Sequence, residues 1–147
     1  MKIIKTTTLL VLIFLNVAIA NTGSVDTRQA VYLDEGERAT VLAEMRTFLS
    51  TLQLITQGVA TDDMGLVEHA AKTMGQDASG GVSLSLIFKL PLSFKIFAAD
   101  THQKFDQIAL DAGSLGGRDH VLEQVSNLMR NCVSCHSMYR IELEKND

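Results

Sequence analysis

The chain has 147 residues, with 17 acidic and 13 basic side chains, a formal charge of −4, two cysteines and one proline. That length suits one domain, and an apolar fraction of 46% with 20% charged residues excludes a disordered chain. The negative charge argues against a nucleic-acid partner, whose phosphates require a basic surface, and two cysteines are too few for a disulfide framework.

Residues 1–20 read as a secretory signal peptide. Lys2 and Lys5 form a positive start, Leu9 to Leu15 is an unbroken apolar run, and Ala18 and Ala20 place small residues at −3 and −1 of a cut before Asn21. The apolar core is about twelve residues long, whereas a spanning helix needs roughly 20. No cysteine follows the cut, so a lipid anchor is not expected there. Cleavage removes two lysines and no acid, which moves the formal charge from −4 to −6. An exported, soluble, acid-rich protein suits the periplasm. Residues 21–33 show no strong periodicity and read as a loose N-terminal arm ahead of one domain over 34–147.

From Asp34 to Gly58, Val41, Met45, Phe48, Leu52, Ile55 and Val59 recur at spacings of four and three, widened by Leu42 and Leu49. This pattern predicts an amphipathic helix. Asp34 and Glu37 resemble a capping pair, and Gly58 suits the helix end. Thr61, Asp62 and Asp63 then open a short second helix carrying Met64, Val67, Ala71 and Met74. Residues 76–90 lack a long helical signal and read as a packed loop. Pro91 starts a third helix with the stripe Phe94, Phe97, Ala98, Thr101, Phe105, Ile108 and Ala112. The fourth block runs from about Arg118 to Glu142, with Val121, Val125, Leu128, Cys132, Cys135 and Tyr139 in register. Four antiparallel helices predict an all-α, four-helix-bundle architecture.

Both cysteines fall within Cys132-Val133-Ser134-Cys135-His136, a C-x-x-C-H signature of c-type haem attachment. On a helix, positions i, i+3 and i+4 share a face. Two thiols can therefore meet the two vinyl groups along one porphyrin edge, while the following imidazole ligates the iron from the proximal side. Other readings compete. A Cys132–Cys135 disulfide would close a tiny loop and stabilise little. A thioredoxin-like redox pair normally accompanies a βαβ pattern, which is missing. A zinc site would need a fourth ligand, with His102 or an acid as the available donor.

The ending Cys132-Val-Ser-Cys135-His136-Ser-Met-Tyr139-Arg140 resembles the C-x-x-C-H-x-x-Y-R ending of the cytochrome c′ and cytochrome c556 family, the class II c-type cytochromes. The resemblance implies a periplasmic four-helix bundle with one covalent haem c on its C-terminal helix. It also implies that an arginine on the first helix approaches a haem propionate while a Leu or Met one turn later faces the iron. Arg38 and Leu42 have that spacing, and Met45 lies on nearly the same face. Methionine at the distal position gives a six-coordinate electron carrier; leucine there leaves five-coordinate iron selective for small gases such as nitric oxide. Met45 is the candidate sixth ligand, and packing is its bland alternative, since methionine commonly fills core gaps. Arg140 resembles the family's basic residue near the proximal His136, against a plain surface cation at a helix end. Tyr139 is expected to pack beside the haem. The family's pairing through its first two helices implies a homodimer.

Of the other histidines, His69 and His120 fall on polar faces. His102 borders the buried stripe of the third helix and reads as a hydrogen-bonded histidine rather than a second iron ligand. No arrangement for hydrolysis is present. The expected function is therefore not enzymatic: electron transfer with redox partner proteins, or, as the alternative, binding of small gases.

Overall fold

The computed structural model describes residues 26–114 and 117–145, so the leader over 1–20 and the first part of the N-terminal arm lie outside the described residues. The described chain is mostly helical, in keeping with an all-α protein. Strand β1 (Gln29–Leu33) is followed by α1 (Glu35–Thr61), α2 (Met64–Lys72), a 3₁₀ turn (Gln76–Gly81), α3 (Leu84–Lys89), α4 (Leu92–Ser114), α5 (Arg118–Met138) and strand β2 (Tyr139–Leu143). No helix among the described residues is long and apolar enough to cross a membrane.

The capping pair is present at the start of α1. The Glu37 amide donates to Asp34 Oδ1 at 2.8 Å and the Asp34 amide donates to Glu37 Oε2 at 3.1 Å, which satisfies two otherwise orphaned donors. The other end differs from expectation. Helix α1 runs past Gly58 to Thr61 and stops at Asp62, which adopts the left-handed conformation at φ 58°. Gly58 instead permits a close approach: a Cβ there would lie 2.7 Å from Val67 Cγ2 and 2.8 Å from the Asp63 carbonyl oxygen. Helix α2 is short, as expected, and the Asp63 carboxylate caps it by accepting from the Leu66 amide at 2.9 Å.

Three further expectations are corrected. The segment over 76–90 is not a plain loop, because it holds the 3₁₀ turn and α3, the latter capped where the Ser83 hydroxyl accepts from the Leu86 amide. The fourth block does not stay helical to Glu142; α5 ends at Met138 and Tyr139–Leu143 is extended. The arm read as loose over 21–33 includes β1, which pairs in parallel with β2 from Gln29↔Tyr139 to Leu33↔Leu143. The reason is tertiary: a five-residue strand is not stable alone, and each of these two finds its partner at the far end of the chain.

Helix α2 packs on α1 and α4, and α4 packs on α5, whereas α1 and α5 touch far less. The main core joins Phe48, Ile55 and Val59 of α1 to Val67 of α2, Phe105 and Ile108 of α4, and Val121 and Leu128 of α5. Phe105 is wholly buried and stacks on Phe48 with ring centroids 5.6 Å apart. Burying one such side chain stabilises the fold by about 1.5–3 kcal/mol. A second cluster gathers Val31, Leu33, Val41, Leu86, Phe94 and Tyr139, with Met45 and Cys135 packed against it.

Candidate functional site

Along α1 the apolar stripe is not uniformly covered. Val41, Phe48, Ile55 and Val59 are buried, but Met45 and Leu52 are only partly so, and Leu49 is 70% exposed. Cys132 and Cys135 of α5 and Phe97 and Ala98 of α4 are likewise half-covered. These residues share a cause. They line a cavity of about 340 Å³ between α1, α4 and α5, where α1 and α5 stand apart. That volume lies within the ~300–1,000 Å³ usual for ligand and cofactor sites.

Each helix contributes by its period. Helix α1 supplies Met45, Phe48, Leu49 and Leu52; α4 supplies Phe94, Phe97, Ala98 and Thr101; α5 supplies Met129, Cys132, Cys135 and His136, among others. Both thiols and the imidazole thus open onto one space, as their i, i+3, i+4 spacing requires. Met45 reaches the same space from α1. The small Ala98 and Thr101, set between Phe94, Phe97 and Phe105, leave room that larger side chains would fill. That signal is present in the α4 stripe, whereas periodicity alone does not show that Leu49, Leu52 and Phe97 form part of the wall.

Cys132 and Cys135 are free thiols. Burial pushes the pKa of both upward; at Cys132 the nearby Lys104 works weakly in the opposite direction, and at Cys135 the neighbouring Cys132 adds to the rise. A dithiol redox pair instead relies on a lowered thiol pKa. Among the described residues no group of three or more His, Cys, Asp or Glu side chains is placed to hold a metal ion.

The wall beside Cys132 is held by polar contacts. Buried Asn131 donates from Nδ2 to Asp100 Oδ2 at 2.7 Å and to Thr101 Oγ1 at 3.3 Å. Lys104 Nζ donates to Asn131 Oδ1 at 3.2 Å and pairs with Asp100 at 2.6 Å. Lys104 and Asn131 hold the Asp100 carboxyl below its ordinary range. This network joins α4 to α5 at the cavity.

Other sequence-identified residues fall elsewhere. Arg38 and Leu42 are half-buried on α1 and do not line the cavity; the helix register presents Met45 instead. Tyr139 is buried behind the wall, its ring 5.5 Å from Phe94 and its hydroxyl bonded to Ser93, and does not line the cavity itself. Arg140 is turned away. It donates to Glu142 Oε1 at 2.5 Å and to the carbonyl oxygens of Asp26 and Arg28 at 2.7 and 2.8 Å. Strand β2 sets this direction, because leaving the helix at Met138 rotates the side chain off the α5 face.

His102 has its ring nitrogens engaged: Nδ1 lies 2.8 Å from the Met74 carbonyl oxygen and Nε2 lies 3.4 Å from Glu44 Oε1. It borders a second, larger cavity of about 700 Å³ between α1, α4 and residues 74–90, which none of Cys132, Cys135 and His136 reaches. His69 is exposed, and His120 is exposed and contacts Asp111 at 3.2 Å.

No family model, curated protein or solved structure matches this chain.

Proposed function

We propose that the chain is a monohaem c-type cytochrome that transfers electrons, built as a four-helix bundle of α1, α2, α4 and α5 in the manner of the cytochrome c′ and cytochrome c556 family. The observation that carries this reading is the common cavity: Cys132, Cys135 and His136 border it from α5, Met45 borders it from α1, and apolar side chains line the rest. The apolar lining suits a largely apolar prosthetic group, and the partly bare Met45, Leu52 and Phe97 are surfaces that it would cover.

Haem, when bound, supplies a one-electron Fe(III)/Fe(II) couple. Cys132 and Cys135 would be the points of covalent attachment, and His136 would offer its imidazole to the iron. Met45 would offer its thioether to the iron, whereas Leu42, which the family resemblance would set against the iron as an apolar block, lies off the cavity wall. Phe48, Leu52 and Phe97 exclude water and keep the local dielectric low. The Asn131–Asp100–Lys104 network holds one wall in place, which limits rearrangement between oxidation states. Export directed by residues 1–20 would bring the protein to the periplasm and to redox partner proteins there.

The test is expression with a haem-attachment system, followed by acid extraction and optical spectroscopy. Haem retained by the protein after extraction supports the reading; its absence overturns it. A methionine–iron charge-transfer band in the ferric protein that is lost in Met45→Ala identifies the electron carrier. A high-spin ferric spectrum unaffected by that substitution rejects Met45 as ligand and points to five-coordinate gas binding.

A further inference from the structure

The proposed haem site gives no role to β1 and the residues before it, yet these meet the chain immediately after His136. A helix leaves its last four carbonyl groups without intrahelical partners. At the end of α5, Arg28 Nη1 donates to the His136 carbonyl oxygen at 3.3 Å and to that of Tyr139 at 3.4 Å. The Arg28 guanidinium is itself held by a two-point pair with Asp26, Nε to Oδ1 at 2.9 Å and Nη2 to Oδ2 at 2.7 Å.

Arg140 returns the contact from β2 by donating to the carbonyl oxygens of Asp26 and Arg28. Two arginines from opposite ends of the chain thus each hold the other segment's backbone. Below them Val31, Leu33 and Tyr139 are buried in the cluster that Cys135 and Met45 also pack against.

We propose that β1, with Arg28 held in place by Asp26, is a latch that fixes the last turn of α5 and makes Arg28 a positioning residue for His136. The proposal rests on the haem reading above. A metal ligand departs more easily when its backbone is free to move, so groups that immobilise the ligand's helix turn govern how firmly it stays bound. Arg28 does this from the α5 end without lining the cavity.

The experiment compares wild type with Arg28→Ala, Arg28→Lys and Asp26→Asn, with the exposed Arg46→Ala as control. In the ferrous nitric oxide complex, the share of iron from which the imidazole has detached is read by absorbance and electron paramagnetic resonance. In the chain without haem, hydrogen exchange is read at the amides of residues 139–143. Arg28→Ala is expected to raise the detached share several-fold and to speed exchange about tenfold. Arg28→Lys should recover part of both effects, Asp26→Asn should reproduce them more weakly, and Arg46→Ala should match wild type. A detached share equal to wild type in Arg28→Ala, with haem covalently attached, overturns the positioning role alone. Absence of covalent haem from the wild-type protein overturns the haem reading and the role of Arg28 toward His136 with it, and unchanged exchange then overturns the latch as well.

Discussion

Lys89 Nζ donates to the Glu37 carboxylate at 2.6 Å, tying the end of α3 to the first turn of α1. The Ser85 hydroxyl donates to the other oxygen of Glu37 at 2.7 Å, and Lys89 also reaches Glu144 at 3.0 Å, just beyond β2. Three segments distant in the chain therefore meet at the Lys89 ammonium.

This cluster makes stability depend on pH. Lys89, followed by Ser85 and the Asp34 amide, lowers the Glu37 pKa from 4.5 to about 2. A lowered carboxyl pKa contributes stability that is present above the unfolded value and is lost as pH falls through the folded one. Glu37→Gln keeps the capping geometry and removes the charge. Its melting temperature should fall below wild type at neutral pH, and the gap should close between about pH 4.5 and 2. A gap that persists unchanged at the acid end would show that charge is not its source.

At His102 the sign is reversed. Its contact with Glu44, aided by the Met74 carbonyl, raises the imidazole pKa above its ordinary 6.5 against the opposing effect of burial. A raised pKa contributes stability that is fully present below the unfolded value and is lost as pH rises through the folded one. The titration midpoint of His102, followed by nuclear magnetic resonance, should move down in Glu44→Gln. The melting temperature of that variant should approach wild type as pH rises past the His102 midpoint.

Gly58 tests the contact between α1 and α2. Alanine there meets the Asp63 backbone as well as Val67, so the neighbours cannot simply step aside. Gly58→Ala should destabilise the fold by about 1–3 kcal/mol through overpacking, exceeding the gain in helix propensity of about 1 kcal/mol. Denaturant unfolding measures the difference.

Ala98 tests the cavity. Ala98→Leu places a larger side chain in the space faced by Cys132 and Cys135, while its helical circular dichroism should remain that of wild type. If haem is held as proposed, its covalent incorporation should fall sharply when the variant matures alongside wild type. Full incorporation with an unaltered spectrum would place the haem elsewhere.

Much of the helical structure is legible in sequence because its causes are local. The stripe from Val41 to Val59, the Asp34–Glu37 capping box and the short α2 each follow from interactions within a few residues. The cavity is legible only in outline. The α1 stripe contains Leu42, Met45, Leu49 and Leu52, and periodicity cannot say which of them face a neighbour and which face a gap. Gly58 shows the same limit: a glycine near a helix end reads as a terminator until α2 is seen lying against it.

The sequence by itself determined that Cys132, Cys135 and His136 share one helical face, because that spacing is a property of 3.6 residues per turn. It also determined the chain's mostly helical character and most of its helix starts. Tertiary structure decided that Met45, rather than Arg38 or Leu42, borders the cavity with them. It decided too that the chain after Met138 becomes a strand and that Arg140 grips a backbone 112 residues away. The physical reason is range. Helix geometry is written in neighbours four residues apart, whereas a five-residue strand and a cavity wall exist only once segments from opposite ends of the chain have met.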